Sequence, residues 1–247
     1  MKISDLGVMV DGKQVLHAVF AEFVPSRVYA FMGPNGSGKS SLAKTIMAHP
    51  AYEITNGCIT LGDTDLATLQ VHERSKAGLF LSFQQPVVLP GVGVVDFLKE
   101  MYDAHGFEKI DMNAFVAQLM TLFKFVGLDQ SFLYRNMHEG FSGGEQKRLE
   151  IVQMMLIKPK IVILDEIDSG LDVDALQAIG KALLWHKKQY PQTTFIIITH
   201  YARILQYMVP DEVLVLVGGA IVERGTKKLA DHIDQHGYAS YVQEATK

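Results

Sequence analysis

A complete phosphate-binding loop is the feature that most constrains what this chain can fold into. Residues 33–40 read Gly-Pro-Asn-Gly-Ser-Gly-Lys-Ser and satisfy the pattern G-x-x-x-x-G-K-[ST]. The apolar run Val28–Met32 precedes the loop, and a helix-compatible stretch, Ser40–Ala48, follows it. By chance, the four fixed positions should occur in roughly one chain of this length in a hundred. The pattern therefore predicts a strand, a loop and a helix arranged around phosphates, rather than an ordinary glycine-rich turn.

The residues of the loop suit triphosphate binding for simple physical reasons. Glycines let backbone N–H groups curl around the phosphates, and the helix that follows adds the positive end of its dipole. Lys39 can reach the outer phosphates as a point charge, while the hydroxyl of Ser40 can ligate Mg²⁺. We expect the phosphates to be held by one continuous segment, Gly33, Pro34, Asn35, Gly36, Ser37, Gly38, Lys39, Ser40 and Ser41.

Length and composition place the chain among globular proteins with a large core. Its 247 residues suit one α/β domain or a core with an inserted lobe, and 48% of them are hydrophobic. The apolar runs are of strand length, short of the ~20 residues that span a bilayer, so we expect a cytoplasmic protein without membrane insertion. The formal net charge of −4 argues weakly against a nucleic-acid partner. Cys58 is the only cysteine, which excludes an internal disulfide and an all-cysteine metal site.

Hydrophobic patterning divides the chain into a strand-rich part and a helical insertion. Residues 1–86 and 159–247 are predicted to form a catalytic α/β core, and residues 87–158 a helical subdomain, within a single domain of residues 1–247. Continuous apolar runs separated by helices indicate a buried parallel sheet. The predicted elements are short N-terminal strands around an Asp11-Gly12 turn, strands at Val28–Met32, Gly57–Leu61, Leu79–Phe83, Ile161–Leu164, Phe195–Thr199 and Val213–Val217, a hairpin to Ile221–Glu223, and a crossover helix over Ala175–Lys188.

Two adjacent carboxylates follow one of the predicted buried strands. Ile161–Leu164 leads directly into Asp165 and Glu166, and active groups in parallel sheets lie at the carboxyl ends of strands. In a phosphate-loop enzyme, Asp165 would hold Mg²⁺ through water and Glu166 would polarise the attacking water. An Asp-Glu pair alone is more often a solvated loop. Together with the upstream phosphate loop, it indicates a catalytic site.

A second anion-binding feature lies at residues 141–148, which read Phe-Ser-Gly-Gly-Glu-Gln-Lys-Arg. Ser142 suits the N-cap of a helix, and Glu145, three residues on, suits a capping box. Gly143 and Gly144 permit close approach of the backbone, so free N–H groups of the first turn could hold an anion. In isolation the segment is more often just a well-capped helix.

The order of these motifs resembles that of the ABC ATPase family. Ser142–Glu145 lies just upstream of Asp165-Glu166, as the family signature does, in a chain that carries the phosphate loop. Gln84 matches the family's Q-loop, Ser169–Asp172 its D-loop and His200 its switch histidine. The likeness covers nearly the whole chain. A histidine after an apolar strand is usually structural, but within this series of motifs we expect His200 to contact the γ-phosphate.

The resemblance implies ATP and Mg²⁺ as ligands, and a P-loop NTPase fold with an N-terminal antiparallel β subdomain. It also implies a head-to-tail homodimer that forms transiently with ATP, in which the signature helix of one subunit completes the ATP site of the other. Glu166, His200 and Gln84 would be catalytic, while Ser40, Gln84 and Asp165 would surround the metal. The remaining nucleotide-binding positions would be Ser142, Gly143, Gly144, Glu145 and Asp172.

The amino-acid sequences of several motifs differ from those usual in membrane transporters. Phe141 opens the signature in place of leucine, Ile167-Asp168 follows the carboxylates, and Tyr201-Ala202 follows the histidine. These features resemble the ABC ATPases of the Suf iron–sulfur cluster assembly system. That resemblance implies SufB- and SufD-like scaffold proteins as partners, docked on residues 87–158 and the hinge at Gln84. The alternative is the cytoplasmic ATPase subunit of an ABC membrane transporter.

Two further expectations concern the nucleotide. ABC domains commonly stack adenine on an aromatic residue near the first hairpin. Met9 and Val10 occupy that region here, so we expect loose base specificity. A third functional class, an adaptor that binds ATP but barely turns it over, is disfavoured because the water-activating Glu166 is present.

Overall fold

The computed structural model describes residues 1–84, 86–200 and 203–241. Its strands are β1 Lys2–Val10, β2 Lys13–Glu22, β3 Val28–Met32, β4 Glu53–Leu61, β5 Thr64–Asp65, β6 Leu79–Ser82, β7 Leu89–Gly93, β8 Asn136–Met137, β9 Ile161–Asp165, β10 Thr194–Ile198, β11 Glu212–Val217 and β12 Ala220–Gly225. Its helices are α1 Lys39–Ile46, α2 Val71–Lys76, α3 Val94–Ala104, α4 Met112–Val126, α5 Gly143–Ile157, α6 Val173–Gln189 and α7 Lys227–His236. Of the motif residues, Gln85, Tyr201 and Ala202 lie outside the described residues.

A six-stranded sheet with the order β12-β11-β3-β10-β9-β6 forms the centre of the fold. Neighbouring strands from β11 to β6 pair in parallel, while β12 is antiparallel to β11. Every residue of β3, β9 and β10 is buried, as parallel strands covered on both faces require. The predicted buried parallel sheet and the hairpin that follows it are confirmed. Because β3, β10 and β9 are consecutive in the sheet, the loops at their carboxyl ends lie side by side.

Alternate residues of β3 enter two separate cores on opposite faces of this sheet, because successive strand side chains point to opposite sides. Val28, Ala30 and Met32 belong to the larger core, which is shared with helices α3 to α6. Tyr29 and Phe31 belong to the second core, which is shared with α1 and the N-terminal strands. Both faces of β3 are therefore fixed by packing, and the loop that leaves it starts from a rigid point.

A second sheet, antiparallel and with the order β2-β1-β4-β5, approaches the phosphate loop. A Cβ atom on Gly38 would lie only 2.9 Å from the carbonyl oxygen of Val15 in β2, so this close approach requires glycine. The predicted Asp11-Gly12 turn is confirmed, with both residues at positive φ, 47° and 74°. The strands on either side are longer than expected, spanning nine and ten residues.

Helices α3, α4 and α5 occupy the predicted helical region. That region also contains a feature the periodicity did not predict, a two-stranded ribbon of β7 and β8 in which Leu89 pairs with Met137. The limits proposed for the helical subdomain, residues 87–158, stay a prediction. Within the described ranges, no helix combines the length and the apolar character needed to cross a bilayer.

Candidate active site

The phosphate loop leaves β3 and leads directly into α1, as its sequence predicts. Gly33 has a φ of 155°, and a Cβ atom there would lie 2.1 Å from the carbonyl oxygen of Leu216. A side chain at this position would therefore collide with the backbone of β11. Helix α1 begins at Lys39, with Gly38 in the left-handed conformation as its N-cap. Its first N–H groups, together with those of the loop, form a concave surface suited to an anion.

Lys39 is folded back into the curl of the loop. Its Nζ atom donates to the carbonyl oxygens of Gly33 at 2.8 Å and Pro34 at 2.9 Å, and to the hydroxyl of Ser37 at 3.3 Å. The residue is only 4% exposed, and burial lowers the pKa of its ammonium to about 8, against the opposing effect of Glu166 and Asp165. The positive charge is therefore weakly compensated, and an incoming phosphate would stabilise it.

Ser40 and Asp165 meet across the site although they are far apart in sequence. The Ser40 hydroxyl donates to Oδ1 of Asp165 at 3.0 Å, and Asp165 is 1% exposed at the end of β9. Burial is the main cause that raises the pKa of the Asp165 carboxyl, and the neighbouring Glu166 raises it further. Mg²⁺ is usually bound through one or two carboxylates together with substrate phosphates and waters, so this pair of oxygen donors fits the ion.

Glu166 is held by two residues from different segments of the chain. Its Oε2 atom accepts a hydrogen bond from Nε2 of Gln84 at 2.7 Å, and its Oε1 atom lies 2.7 Å from Nε2 of His200. The other ring nitrogen of His200, Nδ1, lies 3.1 Å from the carbonyl oxygen of Gly33. The three residues predicted to be catalytic therefore form one connected group beside the phosphate loop.

A cavity of about 770 Å³ opens over this group. It is lined by ten of the predicted site residues, namely Asn35, Gly36, Ser37, Gly38, Lys39, Ser40, Ser41, Gln84, Glu166 and His200. Gly33 and Pro34 instead contribute carbonyl oxygens to Lys39, and Asp165 lies behind Ser40. The volume of the cavity and the cluster of hydrogen-bond donors along one wall suit a nucleoside triphosphate.

Six further residues line the cavity that were not predicted as site residues, namely Gln14, Val15, His17, Ser169, Gly218 and Gly219. Gln14, Val15 and His17 lie on β2, and the His17 N–H donates to the Gly219 carbonyl at 2.8 Å. Ser169 lies within the segment that matches the family's D-loop, so that match could have identified it as a site residue. Met9 and Val10, which pair with Gln14 and Lys13 at the end of the hairpin, are not lining residues. The β2 side of the cavity is therefore formed by residues beyond the hairpin turn, and the described lining residues include no Phe, Tyr or Trp.

The signature segment lies apart from this cavity. Ser142 is the N-cap of α5 and forms the predicted capping box, in which Glu145 Oε2 accepts from the Ser142 N–H at 2.7 Å and Ser142 Oγ accepts from the Glu145 N–H at 3.4 Å. Ser142 and Gly143 are exposed, and Gly144 is half-buried. Asp172 is likewise an N-cap, accepting from the Ala175 N–H at 2.6 Å. Within one subunit, none of these five predicted binding residues lines the cavity.

Sequence comparisons agree with the motif order. The family model described as "ABC transporter" matches residues 16–169. A "Probable ATP-dependent transporter" of Synechocystis sp. is 44% identical over 242 residues, covering 96% of this chain and 94% of the relative. The "Vegetative protein 296" of Bacillus subtilis is 43% identical over 246 residues, covering 99% of this chain and 94% of the relative.

Solved structures share the fold. A dimeric ATP-binding cassette in a post-hydrolysis state, bound to ADP and phosphate, superposes with a TM-score of 0.79 at 18% identity, covering 91% of this chain and 97% of that chain. The ATP-binding subunit of an ABC transporter gives a TM-score of 0.79 at 24% identity, covering 100% and 99%. With a family match over more than half of the chain and two relatives above 40% identity along nearly their whole length, this chain belongs to the ABC transporter family and is an ABC-type ATPase.

Proposed function

We propose that the protein hydrolyses MgATP as a head-to-tail homodimer in which each subunit supplies part of both active sites. The observation that carries this proposal is the separation, within one chain, of the two surfaces that the sequence predicts to bind anions. The phosphate loop lines the cavity, whereas the exposed N-terminus of α5 at Ser142 does not. A second subunit turned end to end would bring its own Ser142 over the nucleotide.

In this proposal, the residues around the cavity divide the chemistry between them. Lys39 and the loop N–H groups bind the β- and γ-phosphates, and the hydroxyl of Ser40 with the carboxylate of Asp165 holds the metal site. Mg²⁺, when bound, neutralises charge that develops on the phosphate oxygens. Glu166 accepts a proton from the attacking water, while Gln84 and His200 orient the carboxylate and the water around the γ-phosphate.

Mixing two inactive variants tests the shared site. Lys39→Ala removes the phosphate-binding cation but keeps Ser142, and Ser142→Arg blocks the signature but keeps Lys39. In a head-to-tail dimer of one of each, one site is rebuilt from two intact halves. We expect each variant alone to be inactive and an equal mixture to recover about a quarter of wild-type turnover, because half of the dimers are mixed and each has one complete site. A mixture as inactive as its components would contradict the head-to-tail arrangement.

Two biological settings fit this ATPase. The names of the relatives favour the first, in which the protein is the cytoplasmic ATP-binding subunit of a membrane transporter. The residues within the motifs support the second setting, a SufC-like motor that remodels a SufB/SufD-like scaffold for iron–sulfur cluster assembly. Phe141 opens the signature, and Ile167-Asp168 follows the two carboxylates.

Both settings require a partner that senses the nucleotide state. The segment around Gln84 suits such docking, because Phe83 is 45% exposed and Val87 is 69% exposed beside the catalytic group. Purification of the tagged full-length protein from its own cells, with mass spectrometry of what accompanies it, separates the two settings. A multi-span permease would support the transporter subunit, and a permease-free complex with a cluster scaffold would support the SufC-like motor.

A further inference from the structure

A buried polar cluster joins the signature helix to the segment that carries Gln84. Glu150 lies on α5 and is only 3% exposed. Its Oε2 atom accepts a hydrogen bond from the Ser82 hydroxyl at 2.8 Å, and its Oε1 atom accepts one from the Phe83 N–H at 2.9 Å. Ser82 is the last residue of β6, so Glu150 contacts the chain where it leaves the central sheet.

Lys147, one turn earlier on the same helix, completes the cluster. It is 4% exposed, its Nζ atom donates to the carbonyl oxygen of Phe83, and it lies 3.5 Å from Oε2 of Glu150. The N–H and the C=O of Phe83 are therefore both bound by side chains of α5. The peptide groups on either side of Phe83 are fixed by these bonds, and the next residue along the chain is Gln84.

This arrangement is costly if its purpose is only to attach α5. A buried carboxylate and a buried ammonium both lose their hydration, and such pairs often stabilise a protein no better than apolar side chains of similar size. Burial accordingly raises the pKa of Glu150, in spite of the opposing effects of Lys147, Ser82 and Phe83. What an apolar pair could not supply is directional bonding to the Phe83 peptide groups.

We infer that Glu150 is a positioning residue that sets Gln84 against the catalytic carboxylate through the backbone of Phe83. Gln84 Nε2 donates to Glu166 at 2.7 Å, so a displacement at Phe83 is passed directly to that hydrogen bond. The inference rests on the proposed catalytic roles of Gln84 and Glu166. It adds a route by which movement of the signature helix alters the geometry of the subunit's own active site.

The test is a double-mutant cycle in the full-length protein, with steady-state ATP hydrolysis and thermal unfolding as readouts. Glu150→Leu removes both acceptors, Glu150→Gln keeps an acceptor for the Phe83 N–H, and Glu100→Gln changes an exposed glutamate of α3 as a matched control. Each is made in the wild-type and the Gln84→Ala backgrounds. If Glu150→Leu is too unstable, Lys147→Met/Glu150→Leu replaces the pair by apolar side chains, with Lys147→Met alone as its control.

We expect Glu150→Leu to lower kcat by about 10–100-fold with KM within about threefold of wild type, because a small misplacement of a catalytic group is enough for such a loss. Glu150→Gln should stay within about threefold of wild-type kcat, since its side-chain oxygen can still accept from Phe83. In the Gln84→Ala background, Glu150→Leu should change kcat by less than about twofold, as expected if both act through one group.

Three results would overturn the inference: an unchanged kcat in Glu150→Leu, an equal loss in the presence and absence of Gln84, or a wild-type kcat in Gln84→Ala. Glu166→Gln, assayed in the same series, reports separately on the proposed function. Full turnover in Glu166→Gln would contradict the proposed catalytic role of Glu166. An inactive Glu166→Gln, together with additive effects of the Glu150 and Gln84 substitutions, would refute only the positioning role of Glu150.

Discussion

His200 bridges Glu166 and the carbonyl oxygen of Gly33, with ring nitrogens 2.7 Å and 3.1 Å from the two acceptors. The second oxygen of Glu166 accepts from Gln84 at 2.7 Å. The carboxylate that is proposed to take a proton from water is thus bound on both oxygens in this conformation. Each carboxylate oxygen can accept a second hydrogen bond, so the proposed water can bind Glu166 while both of these contacts remain.

Glu166→Gln should keep ATP binding and lose hydrolysis. The amide has nearly the same shape and can still accept a hydrogen bond from Gln84, but it cannot accept a proton from water. We expect turnover to fall by roughly 10²–10⁴-fold, as for loss of a general base, and a closed ATP-bound dimer to accumulate. Single-turnover hydrolysis and size-exclusion chromatography with ATP measure the two effects. A variant that hydrolyses ATP at the wild-type rate would exclude Glu166 as the base.

The lowered pKa of Lys39 predicts that ATP binding is coupled to proton uptake. Its pKa is about 8 in the free protein, so about half of the molecules lack this proton at pH 8. Bound phosphates favour the charged form and raise the pKa, so binding at pH 8 should take up about half a proton per ATP, and binding at pH 6.5 should take up almost none. Calorimetry in buffers of different ionisation enthalpy measures this number. Equal uptake at both pH values would contradict the assignment of this proton to Lys39.

Lys39→Ala should abolish tight ATP binding altogether, because it removes the cation that binds the phosphates.

Much of the fold followed from local sequence signals. The phosphate loop, its strand and its helix are contiguous, so the spacing of Gly33 to Ser40 was sufficient to predict them. The contact between Ser40 and Asp165 is remote in sequence, yet it follows from the rule that active groups gather at the carboxyl ends of parallel strands. The β7–β8 ribbon was missed because its pairing depends on chain segments on either side of two helices, which periodicity does not reveal.

The parts of the site that were not predicted depend on tertiary contacts. Val15 and His17 line the cavity because the turn at Gly219 packs against β2, and the pattern of β2 carries no sign of that neighbour. Glu150 was not singled out because a glutamate within a helix is ordinarily solvated, and only its contact with Ser82 and Phe83 explains its burial.

Ser142 should matter for hydrolysis far beyond its contribution to the helix. Ser142→Ala removes an N-cap acceptor, which costs about 1 kcal/mol of stability in typical helices. Asp111→Ala is a matched control, since Asp111 caps α4 through bonds to the N–H groups of Asn113 and Ala114 at 3.0 and 3.1 Å. We expect both variants to lose similar stability in thermal unfolding, but only Ser142→Ala to lose turnover, by about tenfold or more. Equal turnover in the two variants would reduce Ser142 to a structural cap.

His186 should make the fold sensitive to acid. It is fully buried on α6 between the rings of Tyr190 and Phe195, and burial lowers its pKa to about 4, below the ordinary value of 6.5. Below pH 6.5 the unfolded chain takes up a proton that the folded chain resists, so the free energy of unfolding falls as the pH drops towards 4. The full effect of a shift of this size is about 3 kcal/mol.

His186→Phe, which keeps an aromatic ring in this apolar site, should flatten that part of the pH dependence. Denaturant unfolding at pH 7 and pH 4.5 measures the difference, with the exposed His72→Gln as the control that should behave like wild type. Burial and the nearby Lys147 also lower the pKa of His138 to about 4. His138 should therefore leave a residual dependence of the free energy of unfolding on pH. If His186→Phe loses as much stability on acidification as the wild-type protein, the titration of His186 does not contribute, and the acid sensitivity must come from other groups.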